Sequence, residues 1–189
     1  LLKLTGADHT LIAERDPSLP VYHVNLPALE SKANTDFEVS ELNNADSATG
    51  IATNNVDGKL DIEVAGSPFM TFHHTTNYPK PVINPILSPN GNNMLREPLE
   101  AWGKGEHPWQ RGLTLMQGAI NGVDCWNEQP DRPGFGHTIQ DDISISHNPL
   151  SLLIESENTW YEDKRPLMTD NRSYRLFDSG RDAVAVSYT

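Results

Sequence analysis

The chain has 189 residues, 37% of them hydrophobic and 21% charged, which suits a folded domain with a sizeable core and excludes a disordered one. Its formal charge is −12, from 14 Lys and Arg against 26 Asp and Glu. That field repels phosphate backbones and no basic stripe offsets it, so nucleic acid is excluded as a partner.

The start, "LLKLTGADHT", has neither the basic head nor the long apolar run of a secretory leader, and it begins without Met, as a processed, trimmed or partial chain does. "LPVYHVNLPA" (19–28) reads as an early strand, and 31–58 as a polar linker in which "FEVSEL" is a candidate edge strand. "KLDIEVAGSPFMTFHH" (59–74) reads as a hairpin: Leu60, Ile62 and Val64 alternate with polar residues, Ala65-Gly66-Ser67 turns, and Phe69 to Phe72 runs back.

Prolines are scattered throughout, so "REPLEAWG" (96–103) is the best helical candidate, and a short one. "ISIS" (143–146) alternates, "LSLLIESENTWYE" (150–162) is rich in β-formers, and "RSYRLFD" with "AVAVSYT" predicts a hairpin turning at 179–182. No purely apolar run passes three or four residues, as in "LLI" at 152–154 and "AVAV" at 183–186, whereas a membrane span needs about 20. Many short strands with frequent turn signals predict an all-β antiparallel sandwich. The chain reads as one sandwich domain, with 1–58 as N-terminal strands and polar loop and 59–189 as the motif-bearing core.

The stretch "EHPWQRGLTLMQGAINGVDCW" (106–126) concentrates two tryptophans, the lone Cys125, His107, Arg111 and Asp124. A lone cysteine excludes an internal disulfide and leaves the compartment open, with a periplasmic or secreted location slightly preferred. The stretch reads as strand-turn-strand, with Trp126 and Leu113 to Met116 supplying core and the ionisable groups supplying polar edges. His107 and His137 are candidate proton carriers, since a histidine needs only a partner to orient it, and Asp124 is a candidate partner. Arg111 has a planar fork suited to a carboxylate or vicinal hydroxyls, or to an ion pair with Asp124 across a ladder. Trp126, Trp109 and Trp102 could stack on a sugar ring, although any single tryptophan is as well explained by a core. Asn121-Gly122 signals a turn first, and Asn121 and Glu106 are further candidate ligand contacts. Glu106, His107 and His137 with His73 or His74 also allow a metal, but HExxH and CxxC spacings are absent, so neither a metal nor a cofactor is expected.

Six segments, "GSPFMTFHH", "YPKPVINPILSPNG", "EHPWQRGL", "NGVDCW", "GFGHTI" and "LMTDNRSYRLF", together resemble in order and spacing a bacterial family of unknown function that carries the label "methane oxygenase PmoA". The family's Asp-His-x-His-His-Arg-Gly is here Glu106 to Gly112, with Trp109 and Gln110 in place of two histidines, and Cys125 stands where the family has Phe. Those changes weaken a multi-histidine metal site. The activity in the label needs transmembrane helices, so the label is read as a misnomer. The resemblance implies a supersandwich similar to galactose mutarotases, continuing beyond the point where this chain stops. It also implies an association with glycan use. The expectation is therefore an enzyme acting on a small-molecule or oligosaccharide ligand by histidine acid-base chemistry, of epimerase, mutarotase, lyase or hydrolase type. A non-catalytic glycan-binding or assembly module is the alternative. Oligomeric state is left open.

Overall fold

A computed structural model describes residues 2–6, 10–15, 22–24, 36, 38–41, 50–96, 107, 109–128, 134–148, 150–181 and 183–188. Among these the structure is all-β and antiparallel, as the alternation predicts. The strands are β1 (Leu2–Thr5), β2 (Thr10–Arg15), β3 (Tyr22–Val24), β4 (Glu38–Glu41), β5 (Ile51–Val56), β6 (Lys59–Val64), β7 (Ser67–His73), β8 (Val82–Ile86), β9 (Gln117–Ile120), β10 (Val123–Cys125), β11 (Gly136–His147), β12 (Ser151–Glu162), β13 (Arg165–Arg181) and β14 (Ala183–Tyr188). They form four sheets, ordered β3-β2-β1-β4, β5-β6-β7-β8, β9-β10 and β11-β12-β13-β14.

The predicted 59–74 hairpin is β6–β7, turning on Ala65 and Gly66 at φ 50° and 75°. The second predicted hairpin is β13–β14, with β13 beginning earlier and running to Arg181. The early strand narrows to β3, and "FEVSEL" supplies β4, which lies at a sheet edge. The linker expectation fails at β5. Residues 51–56 pair with β6 through a tight turn at Asp57 and Gly58, with φ 53° and 71°. Asp-Gly is the residue pair such a turn demands, because both positions need positive φ. The helix expected at 96–103 falls, beyond Arg96, outside the described residues.

The β5–β8 and β11–β14 sheets face each other across a core. Leu60, Ile62, Met70, Phe72 and Ile83 meet Leu152, Ile154, Tyr174 and Leu176. Period-two alternation puts these side chains on one face of each strand, and fully burying each Leu or Ile contributes roughly 1.5–3 kcal/mol. A second, smaller cluster joins the β9–β10 hairpin to the far end of β12: Ile120, Val123 and Cys125 pack on Trp160. Its closeness shows at Gly136, where an added Cβ would lie 2.2 Å from Cys125 Sγ. Gly136→Ala is therefore expected to cost about 1–3 kcal/mol by overpacking. Cys125→Ala in the same chain should return most of that loss, read as a coupling in a denaturation double-mutant cycle. Additive effects of the two changes would show that the contact is not tight.

Candidate functional site

"YPKPVINPI" (78–86) is extended because its prolines hold φ near −65° and bar the preceding residues from helix. Both edges of this segment are tied down. On one side Pro79 O accepts from Thr138 N at 2.7 Å. On the other, Thr114 Oγ1 donates to Pro81 O at 2.7 Å, and Ile83 exchanges backbone bonds with Leu113 at 2.9 and 3.0 Å. The second approach needs Gly112, where a Cβ would sit 2.4 Å from Ile83 O. Lys80 is thereby fixed between the start of β11 and the 110–114 segment.

There it meets Glu128. Lys80 Nζ is 3.4 Å from Glu128 Oε1, and Arg111 Nε donates to Oε2 at 2.8 Å. The Lys80 and Glu128 side chains are 1% and 3% exposed, and Arg111 10%. Burial pulls the Lys80 ammonium below its usual range, against the opposing pull of Glu128. The Arg111 guanidinium also lies over the Tyr78 ring at 5.8 Å, and Tyr78 meets His73 edge-on at 5.6 Å. Asn84 Nδ2 donates to the carbonyls of Arg96 (2.9 Å) and Arg111, tying the Arg111 backbone to β8.

Asp124 does not pair with Arg111. The described residues of 107–112 form no strand, so no ladder brings the two side chains together, and Arg111 pairs with Glu128. The Asp124 carboxylate instead closes the chain on itself. It accepts from Trp126 N at 2.9 Å, Asn127 N at 3.1 Å and Asn127 Nδ2 at 2.7 Å, a bend that returns Glu128 toward Lys80. Partial burial pushes its pKa up, but the bonds from Asn127 and Trp126, with Lys80 nearby, prevail and hold it below the ordinary value. A depressed folded pKa gives stability that is present above about pH 4 and lost on acidification below it. Asp124→Ala is expected to cost about 1–3 kcal/mol at neutral pH and to flatten this acid limb. Urea melts of both proteins at pH 7 and pH 3 check it, and parallel curves would refute it.

His137 begins β11 opposite Tyr161 and stacks on it, with ring centroids 5.5 Å apart and planes 19° from parallel. Burial lowers its pKa most. Asp163 opposes that shift and Lys80 adds to it, which places Lys80 within electrostatic reach of the ring. Arg111, Asp124 and His137 are thus gathered around Lys80 and Glu128.

The other candidates are dispersed. His107 sits at φ 49° in an exposed turn, edge-on to Trp109 at 6.0 Å, and its carbonyl accepts from Arg96 Nη1 at 2.9 Å. Among the described residues no hydrogen bond or ion pair joins it to His137. Asn121 and Gly122 form the β9–β10 turn at φ 51° and 86°, and Asn121 Nδ2 reaches Leu167 O at 3.2 Å. Trp126 is 42% exposed and Leu113 is exposed too, so neither is the core residue expected of it. Trp109 is half-buried. Glu106 and Trp102 lie outside the described residues. His73 Nε2 is 2.9 Å from Asn84 O, and His74 is bonded to Gln140 and Asn55.

Lys80, Glu128, Tyr78 and Asn84 are the site residues that the motifs do not single out. Lys80 lies in an unbroken buried run, Lys80 to Asn84, so a cation sits in a segment covered on both faces. Glu128 had no signal in the sequence, because its burial follows from the Asp124 bend. Two open cavities of about 460 and 410 Å³ lie elsewhere, one along β11–β13 between Asp142 and Arg172 and the other on β5–β8 around Asp61 and Pro85. They are lined by none of these residues. A buried charge network marks a site more strongly than an open cavity does, since folding stability alone does not favour it over apolar packing.

Comparison with curated proteins and comparison with solved structures each give no match. Residues 59–189, which hold Lys80, Arg111, Asp124, Glu128 and His137, match a family model, and the chain belongs to the family of unknown function DUF6807.

Proposed function

We propose that the protein is an enzyme acting on a carbohydrate by acid-base chemistry, with His137 as the proton carrier and the Lys80–Glu128–Arg111 network as the fixed electrostatic wall beside it. The observation that carries this reading is a buried three-charge network, one member of which, Lys80, acts electrostatically on a histidine whose pKa is lowered. Buried charges cost free energy, and perturbed titratable groups cluster where chemistry is done. Lowering the histidine keeps it neutral at pH 7, as a general base requires. Exposed Trp126 offers an apolar face of the kind that stacks on a sugar ring. The two packed antiparallel sheets are compatible with a galactose-mutarotase-like sandwich, which belongs to the same proposal. The alternative, a glycan-binding module without catalysis, draws on the exposure of Trp126.

A thermal-shift panel of mono- and oligosaccharides, with and without EDTA, tests for the ligand, because a ligand bound only by the folded state raises the melting temperature. NMR of any stabilising sugar then tests turnover by wild type and His137→Ala. Binding with turnover lost in the variant is expected; turnover retained would remove His137 from the mechanism, and binding without turnover would favour the module. No shift from any sugar would overturn both readings. The His137 ring should titrate below about 6.5, its ordinary value, in an NMR pH series. Because the folded state then binds the proton more weakly, His137 lowers stability as pH falls through that ordinary value. A midpoint at or above it would contradict the buried placement.

A further inference from the structure

The inward face of the β11–β13 ladder changes character along its length. At one end Ile145, Ile154 and Tyr174 form an apolar row. Beyond it come Ile143, Ser156 and Arg172, then Gln140, Asn158 and Asp170, then Thr138 and Trp160. Polar side chains thus interrupt the interior between the two hydrophobic clusters.

Most of their bonds are made within the ladder. Asp170 accepts from Asn158 Nδ2 at 2.9 Å, from Arg172 Nε and Nη2 at 2.8 Å each, and from Trp160 Nε1. Asn158 Nδ2 also faces Ser156 Oγ at 3.2 Å and Ser156 O at 3.4 Å. Three acceptors around Nδ2 fix the orientation of that amide, so its Oδ1 points the other way. Gln140 Nε2 lies 3.1 Å from His74 Nδ1, and His74 Nε2 lies 3.0 Å from Asn55 Oδ1. Among the described residues, Asn158 Oδ1, Gln140 Oε1 and Thr138 Oγ1 are buried without a hydrogen-bond partner, and Asn158 and Thr138 are only 1% and 4% exposed. Buried polar atoms are almost always bonded, and here three oxygens on neighbouring positions of one face are not.

We propose that Thr138 Oγ1, Gln140 Oε1 and Asn158 Oδ1 form an internal site for a small hydroxyl-bearing molecule, whose O–H groups donate to these oxygens. A cation fits the set poorly, since Asp170, the carboxylate bonded to Asn158, is already taken by four donors and Arg172 stands beside it. The O–H donor has two sources, water and a polyol or sugar hydroxyl. The three oxygens belong to side chains that the acid-base reading does not use.

Thr138→Val tests it by the sign of its effect. Valine keeps the volume and removes only the hydroxyl, leaving the Thr138 N to Pro79 O bond in place. If the oxygen holds a bound hydroxyl, the variant should melt about 2–4 °C lower. If the oxygen is a dry, unbonded group, removing it relieves a desolvation penalty and the variant melts at the same temperature or higher, which overturns the proposal. A high-resolution crystal structure supplies the second readout, with density expected within about 3.2 Å of Thr138 Oγ1 and Asn158 Oδ1. Empty density there also overturns it. Melting with glycerol or glucose separates the sources, because polyols stabilise all folded proteins by exclusion. An equal gain for wild type and Thr138→Val identifies water, and a larger gain for wild type identifies a polyol hydroxyl.

Discussion

Glu128→Ala is expected to destabilise the protein by about 3–5 kcal/mol, a fall in melting temperature of roughly 6–20 °C. The carboxylate lies between Lys80 and Arg111 with its own side chain almost wholly buried. Removing it leaves two cations in a low-dielectric interior without the charge that offsets their desolvation. The cost arises less from the attraction lost than from the burial of charge left behind. Replacing both partners of the Lys80–Glu128 pair, as Lys80→Met with Glu128→Leu, should therefore be less damaging than Glu128→Ala alone. If Glu128→Ala melts within about 1 °C of wild type, the network is more solvated than its geometry indicates.

The second large effect is expected at Glu14, outside the matched family segment. Its buried carboxylate accepts from Leu150 N at 3.0 Å, Ser151 Oγ at 2.7 Å and Arg175 Nη1 at 3.1 Å. It thereby joins the β1–β4 sheet to β12 and β13. Glu14→Ala removes three charge-assisted bonds at once and leaves Arg175 buried, a loss of about 3–5 kcal/mol. Hydrogen exchange should show the loss first at the amides of β1 and β2, which would open as a unit. Unchanged exchange there, with an unchanged denaturation midpoint, would mean that the N-terminal sheet is held by other contacts.

The strands were legible where the pattern is local. Leu60, Ile62 and Val64 alternate, Ala65-Gly66 turns, and Phe72 faces inward with Met70; each step rests on period-two geometry that a short window contains. The turn at Asn121-Gly122 was legible for the same reason. The strand β5 was missed by weighing its asparagines against it, although Asp57-Gly58 announced the hairpin. The family segments draw attention to His107 and Arg111 together, contain Lys80 without marking it, and stop short of Glu128. Pairing Arg111 with Asp124 assumed a strand at 107–112, where the described residues form none.

The order of residues by itself determined an all-β chain, its principal hairpins, its acidic character and the neighbourhood that holds the ionisable groups. Those properties follow from side-chain alternation, turn-forming pairs and summed charge, and none requires knowing which strands lie side by side. Only the tertiary structure decided that Glu128 would lie between Lys80 and Arg111, that Glu14 would reach Ser151 and Arg175 from more than a hundred residues away in the chain, and that polar oxygens would line the interior at Thr138 and Asn158. Charge partners are chosen by distance in space and by the solvent they exclude, and neither is written in the spacing of residues along the chain.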